Sequence, residues 1–547
     1  MVLGQSHEVM MGFSYSTREK MLEELRESGI VDLLVIGGGI TGAGIARDAA
    51  LRGLKVCLLE KGDFASATSS RSSKLVHGGL RYLEHRQFGL VREALQERQL
   101  LMQRLAPHMV HPLPFLIPVW KDSPHSGRWI GLGLGVYDFL SAYLKPHRRV
   151  NRRQVARLVP QLNFANIQSA FLYYDCQTND ARLTLENVLS AYQAGAKTLN
   201  YVQVEQFLLR KGRIRGVVAC DLLSDSHLEI QARAVVNATG PFADSVASLL
   251  KSHRASLLRP TKGVHIVLRP QVLSLPCAIT YFSAVDRRVM FLIPWQNFTL
   301  CGTTDTDGEV EENGFASGED VRYILDSFEG ILGKNVSISP RDIVSAYAGW
   351  RSLIAHPSVK RESDVPRTHK IILHPEGLIT VAGGKLTTYR RMAKSVVDFA
   401  LKTFRLGGSR CWTHRQPLPG AMKFSRRAIS TLSERDRHLL LTYGRRGELV
   451  KRYSCGEEGQ EVLHPSLPYR WGDMEYFIQE ELALKLQDIF LRRSHLFLQD
   501  PLFTLAIAER VATLLQKRLG WSEVVKRREI ENYQKYVEDA LKWKKAL

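Results

Sequence analysis

The chain reads as an α/β protein: a Rossmann-type dinucleotide-binding domain interleaved with a β-sheet substrate domain, followed by a helical domain. Three observations predict this. Residues 31–60 read VDLLVIGGGITGAGIARDAALRGLKVCLLE, which is a strand, a glycine turn, a helix, a second strand and an acid. A strand–glycine–helix segment recurs far downstream, ITVAGGKLTTYRRMAKSVVDFAL from Ile379, so the cofactor domain is assembled from separated pieces. Beyond Gly407 the pattern turns to helices rich in Leu, Arg, Glu and Lys, such as EYFIQEELALKLQDIFLRR. The expected division is an N-terminal extension over residues 1–30, the interleaved cofactor and substrate domains over 31–407, and a helical domain over 408–547.

In the first segment the apolar run Leu33–Ile36 ends in Gly37-x-Gly39-x-x-Gly42, with Ala46, Gly53 and Glu60 at the spacing of a βαβ unit. Gly37 allows the tight turn, Gly39 lets backbone approach a pyrophosphate, and Gly42 lets the helix pack closely on the strand. The helix N-terminus turns its partial positive charge toward the phosphates. Glu60, about twenty residues on, can accept hydrogen bonds from ribose hydroxyls.

The other elements follow in order. STREKMLEELRESG predicts a short amphipathic helix capped by Ser16 or Thr17 and stopped at Gly29. A helix is expected from Gly89 to Leu105 after the polar loop FASATSSRSSKLVHGGLRYL. The apolar stretch Trp129–Leu144 is too short to span a bilayer, so it should pack internally or dip into a membrane interface. TLNYVQVEQFLL, a Lys211-Gly212 turn and IRGVVACDLL predict antiparallel strands, and Val235–Pro241 a buried strand ending at Gly-Pro. KGVHIVL, RVMFLIPW and FTLCGTTD, within residues 262–305, predict a second sheet.

The 547 residues carry a formal charge of +20, and 44% are hydrophobic. Such a balance favours an anionic partner: a phosphorylated substrate, an anionic membrane surface or nucleic acid. No RNA-recognition signature, zinc-finger spacing or basic heptad region is present, so nucleic acid is not expected. Seven scattered cysteines without a CxxC motif predict free, mostly buried thiols and no metal site, which fits a reducing cytoplasm. No basic-then-apolar signal pattern or twenty-residue apolar run occurs, so no transmembrane helix is expected.

Three stretches could carry chemistry. Thr68–Leu83, TSSRSSKLVHGGLRYL, mixes hydroxyls, Lys74, His77, paired glycines, Arg81 and Tyr82, so a planar ring can lie against its backbone and find donors. VNATGP could place Gly240 where a side chain would strike a cofactor, and VAGGKLTTYR sets Gly383-Gly384 before a helix whose amides could hold an anionic flavin edge. Arg81, His265 in KGVHIVL, Arg351 in AGWRSL, Arg367 in VPRTHK and Lys385 could form a cationic pocket. Planar arginine forks suit a phosphate dianion.

Taken together, IGGGITGAGIARDAALRGL, GDFASATSSRSSKLVHGGLRYLE, LVREAL, DARL, VNATGP, KGVHIV, IPW, GTTDTD and GGKLTTYR resemble the FAD-dependent glycerol-3-phosphate dehydrogenase family of the aerobic bacterial and mitochondrial type. They follow its order from about residue 30 to 400, with a looser match at LTYG and LQDIFLRRSH. The resemblance implies a glutathione-reductase/D-amino-acid-oxidase-like fold, FAD as cofactor, oxidation of sn-glycerol 3-phosphate to dihydroxyacetone phosphate, and a membrane quinone as acceptor. It implies that Gly37, Gly38, Gly39, Ile40, Thr41, Gly42 and Glu60 bind the ADP half of FAD, and that Ile36, Lys61 and Val204 also bind the cofactor. Thr68, Ser69, Ser70, Ser73, Lys74, His77, Gly78, Ala238, Thr239, Gly240, Gly383, Gly384, Lys385, Leu386 and Thr387 fall toward the flavin. Arg81, Tyr82, His265, Arg351, Arg367 and Lys385 fall around the substrate.

The chain departs from the family pattern at Trp350 and Ser352, where Val and Pro are usual, and at Thr368, where an acid commonly follows the arginine. The expected chemistry is hydride transfer from the carbinol carbon to flavin N5 while His265, an imidazole that titrates near working pH, takes the hydroxyl proton. Arg351 or Lys385 would steady the alkoxide, and His77 is the alternative base. An oxygen-using oxidase is the alternative activity. The expected location is cytoplasmic, peripheral on the cytoplasmic face of the inner membrane and held there by the basic balance. A homodimer is compatible with the sequence and not specified by it.

Overall fold

The structure is a computed structural model that describes residues 12–27, 29–83, 87–141, 145–253, 256–334, 336–355 and 369–547. Arg367 and Thr368 lie outside the described residues, as do residues 1–11 of the N-terminal extension and the side chain of Arg81.

An eight-stranded sheet carries the glycine motif. Its order is His369–Leu373, Leu378–Gly383, Ser226–Asn237, Val31–Ile36, Val56–Leu59 and Lys197–Leu199, and Val202–Arg210 and Arg213–Asp221 extend Ser226–Asn237 as an antiparallel flap. The five strands from Leu378–Gly383 to Lys197–Leu199 are parallel to their neighbours. Parallel strands are covered on both faces, which is why VDLLVI is an almost unbroken apolar run. Leu33, Leu34 and Val35 are fully buried, each contributing roughly 1.5–3 kcal/mol. Helix Ile40–Leu51 packs against helices Asp180–Gln193 and Tyr389–Phe404. The downstream strand–glycine–helix segment thus joins the sheet containing the first one.

The second sheet has ten strands and is mostly antiparallel. Leu258–Leu268 lies between Phe298–Gly302 and Ile343–Ile354, so His265 faces Gly302 on one side and Tyr347 on the other. Past Tyr389–Phe404 the chain is mainly helical, with one small hairpin, Val462–His464 with Leu467–Arg470. Its aromatic side chains, among them Tyr469, Tyr476, Phe490 and Tyr533, share a core with Phe115, Tyr173 and Trp295 of the second sheet.

Local elements differ from expectation in two places. The first helix is Tyr15–Glu27 and begins before its expected cap, because Ser14 and Thr17 bond one another: Thr17 Oγ1 donates to the Ser14 carbonyl at 2.8 Å and accepts the Ser14 amide at 2.9 Å. The helix expected from Gly89 to Leu105 is Phe88–Leu100 continued by a wide π turn, Leu101–Leu105. Helix Gly127–Ser141 buries Leu134 and Tyr137 while Trp129, Leu132 and Phe139 stand 57%, 62% and 86% exposed, so only one face packs internally. All seven cysteines are free thiols, five of them buried. Among the described residues no helix is long and apolar enough to cross a membrane.

Candidate active site

One cavity of about 1110 Å³ runs between the two sheets. Ordinary small-molecule pockets occupy roughly 300–1,000 Å³, so there is room for a dinucleotide with a small substrate.

Backbone builds one end. Gly37 has φ +107°, a conformation costly for any side chain, and a Cβ there would stand 2.8 Å from the Ala238 carbonyl oxygen. A Cβ on Gly42 would stand 1.9 Å from the Gly37 carbonyl oxygen, so the helix meets the strand through bare backbone. Glu60 accepts the Gly38 amide at 2.6 Å and the Gly62 amide at 2.8 Å. Burial pushes the Glu60 pKa up, against the pull of these two amides. Each of its oxygens keeps a further lone pair for a ribose hydroxyl. Ser69 Oγ accepts the Ile40 amide at 2.9 Å and ties the 68–70 turn to the helix start.

Turns and side chains build the other end. Gly383 and Gly384 have φ +74° and +104°, turning the chain from strand Leu378–Gly383 toward helix Tyr389–Phe404. Thr387 Oγ1 bridges to the backbone of His77 at 3.2 Å, locking this turn against the polar loop. Lys385 Nζ lies 3.4 Å from the Tyr82 ring centre. Arg351 pairs with Asp305 at 2.9 Å and donates to Thr303 Oγ1 at 2.9 Å and the Thr304 carbonyl at 3.1 Å. His265 stacks on Tyr347 with centroids 5.0 Å apart, and its Nε2 lies 2.9 Å from Ser73 Oγ.

His265 differs from expectation in one respect. Burial, with Arg351 and Lys74 nearby, lowers its pKa to about 3, so the ring is neutral and does not titrate near working pH. A neutral imidazole can still accept a proton, and an anion placed among these cations would raise its basicity.

Most of the expected site residues share this cavity. Ile36, Gly37, Gly39, Ile40, Thr41, Glu60, Lys61, Thr68, Ser69, Ser73, His77, Val204 and Ala238 line it, as do Thr239, Gly240, Gly383, Gly384, Lys385, Leu386 and Thr387. Tyr82, His265 and Arg351 line the same space. Five others do not reach the lining. Gly38 and Gly42 are packing positions, the first against Glu60 and Phe64. Gly78 gives its amide to Tyr137 and Asp175, Ser70 turns its hydroxyl to the Ala67 carbonyl, and Lys74 is fully buried in a 2.8 Å ion pair with Asp180.

Sequence reasoning missed Asp305, Thr303, Asp180, Tyr347 and Arg71, the last of which lines the cavity and donates to the Gly314 and Ala348 carbonyls. Asp305 and Asp180 sat inside GTTDTD and DARL, and Arg71 inside TSSRSSK, but nothing in those runs identified their partners. The departure at Trp350 is accommodated by glycine: a Cβ on Gly314 or Gly308 would meet its ring at 2.7 and 3.0 Å.

A parallel sheet with a glycine turn, a half-buried acid at the end of its second strand and a second glycine turn on one cavity suits a dinucleotide, and residues 32–390 match the FAD dependent oxidoreductase family. Residues 411–526 match the C-terminal domain of alpha-glycerophosphate oxidase. The aerobic glycerol-3-phosphate dehydrogenase of Bacillus subtilis is 35% identical over 552 residues, 97% of this chain and 98% of that one. The human mitochondrial glycerol-3-phosphate dehydrogenase is 34% identical over 548 residues, 95% of this chain and 75% of that protein. The structure of the glycerol-3-phosphate dehydrogenase of Bacillus halodurans complexed with FAD superposes with a TM-score of 0.80 at 30% identity, covering 97% and 98% of the two chains. The chain belongs to the FAD-dependent glycerol-3-phosphate dehydrogenase family.

Proposed function

We propose that this protein oxidises sn-glycerol 3-phosphate to dihydroxyacetone phosphate and passes the electrons to a membrane quinone. The observation that carries the reading is the placement of Arg351, Lys385 and His265 on the cavity that holds the glycine loop. When bound, FAD supplies a two-electron acceptor for the hydrogen leaving the carbinol carbon. The protein's own residues do the rest. Arg351, oriented by Asp305, and Lys385 attract a phosphate dianion and steady the developing alkoxide. Neutral His265, fixed by Tyr347 and Ser73, accepts the hydroxyl proton. His265 is buried, and the Arg351–Asp305 pair is mostly shielded from solvent, which strengthens each contact.

A quinone lies in lipid, so the protein would dock on a membrane from the cytoplasmic side without crossing it. Helix Gly127–Ser141 supports this, because Trp129, Leu132 and Phe139 share an exposed apolar face. Exposed Arg128 lies in its first turn and exposed Lys145, Arg148, Arg149, Arg152 and Arg153 follow it in the chain, and His147 ties the basic segment back to Asp138 at 2.6 Å. Apolar rings with a basic border suit an anionic lipid surface.

The test is anaerobic addition of glycerol 3-phosphate to the yellow protein. The flavin absorbance should bleach and then recover on adding a quinone; no bleaching would defeat the substrate assignment. Rapid peroxide formation in air, with no recovery by quinone, would instead favour an oxidase. Concentrated salt should release the protein from membranes, whereas retention would point to an apolar anchor.

A further inference from the structure

The chain beyond Gly407 does more than cover the second sheet, because part of it walls the cofactor cavity. Lys485, Gln487, Arg492, Glu529, Lys535 and Tyr536 line the same space as Glu60 and the glycine loop. These residues come from the segment entering the π turn Asp488–Arg493 and from helix Glu523–Leu541.

Three ties fix this wall to the ADP end. Asp63, three residues past the ribose-facing Glu60, is fully buried and accepts Arg492 Nε at 2.5 Å and Arg493 Nη1 at 2.6 Å. Tyr201 donates its backbone amide to the Gly62 carbonyl at 2.9 Å and its hydroxyl to Asp488 at 2.5 Å. Lys485 Nζ stands 4.3 Å from the centre of that Tyr201 ring. Glu529, itself buried, accepts the Leu486 amide at 3.0 Å and fastens the Lys485 segment to the helix.

Asp63 already engages Arg492 and Arg493, whereas Lys485 is half-buried and forms part of the lining. A fixed ammonium in a shielded groove attracts a diphosphate more strongly than one in open water. We propose that the C-terminal helical domain is part of the cofactor site, a clamp on the ADP half of FAD whose charged contact is Lys485. The inference rests on FAD occupying the groove and is independent of which alcohol is oxidised.

The test uses the full-length holoenzyme and its Lys485→Ala and Lys485→Arg variants. Flavin release is followed by recovery of fluorescence, and affinity is measured on flavin-stripped protein for FAD and for free ADP. Lys485→Ala should weaken FAD and ADP by the same factor, about tenfold for one lost charge-assisted contact. It should leave the bound-flavin spectrum and the thermal midpoint of the flavin-stripped protein unchanged, and Lys485→Arg should restore retention. Unchanged release, or weakened FAD with unchanged ADP, would overturn the clamp. A wild-type protein that takes up no FAD would instead defeat the cofactor assignment itself.

Discussion

The two ends of the cavity are made of different material. At the end proposed for ADP the groups on offer are amides and helix dipole, set by Gly37, Gly42 and the carboxylate of Glu60 within thirty residues of chain. At the substrate end they are side chains whose partners come from far away in sequence: Arg351 with Asp305, His265 with Ser73 and Tyr347. A backbone site needs only the right local conformation, which glycine spacing determines. A side-chain site needs charges whose strength depends on what each is already paired with. Damage should therefore separate cleanly, with binding of the cofactor lost at one end and chemistry lost at the other.

The largest effect should come from the substrate end. Replacing His265 with Ala removes the proposed proton acceptor and should lower kcat by about 10²- to 10⁴-fold, while FAD stays bound and the protein stays yellow. Near-normal turnover would reassign the base, with His77 next in line. Gly42→Ala probes the opposite end. Its Cβ would lie 1.9 Å from a backbone oxygen that cannot swing aside, so helix and strand must part, at a cost of up to about 3 kcal/mol. If that strain opens the phosphate turn, FAD affinity should fall by up to about 140-fold. Titration of flavin-stripped protein checks this, and an unchanged affinity would mean that the turn tolerates movement.

The same division explains what could be read from the chain. The βαβ unit, the return of the Ile379 segment to the first sheet and the clustering of His265, Arg351 and Lys385 were legible, because each rests on local pattern or on a motif of unusual composition. Lys74 shows where such reading fails. It sits in the loop expected to face the flavin, yet the packing of Asp180 turns it inward as a buried pair. The 3.6-residue period behind the C-terminal helices is equally silent about position. Nothing in LQDIFLRRSH says that Arg492 and Arg493 reach across more than 400 residues to Asp63. Arg367 lies outside the described residues, so its place at the substrate end stays an expectation from sequence.

The smallest effect sharpens the comparison by its sign. His265, at the substrate end, is held neutral by burial, its pKa lowered from 6.5 to about 3. An unfolded chain would protonate this ring below its ordinary value, so the stability from burying it neutral is complete above about pH 6.5 and is lost as pH falls toward 3. Glu529, in the wall at the ADP end, is shifted the other way, from 4.5 to about 7 by desolvation. Its protonated form is favoured in the fold, so that stability is complete below about 4.5 and is lost as pH rises through 7. Each slope is about 1.4 kcal/mol per pH unit inside its window. Glu529→Gln should therefore flatten the fall in melting temperature between pH 5 and 7, whereas His265→Gln should soften the acid limb below pH 6. If both variants moved the same limb, burial would not be what sets the two groups apart, and the contrast between the ends of the cavity would lose its electrostatic basis.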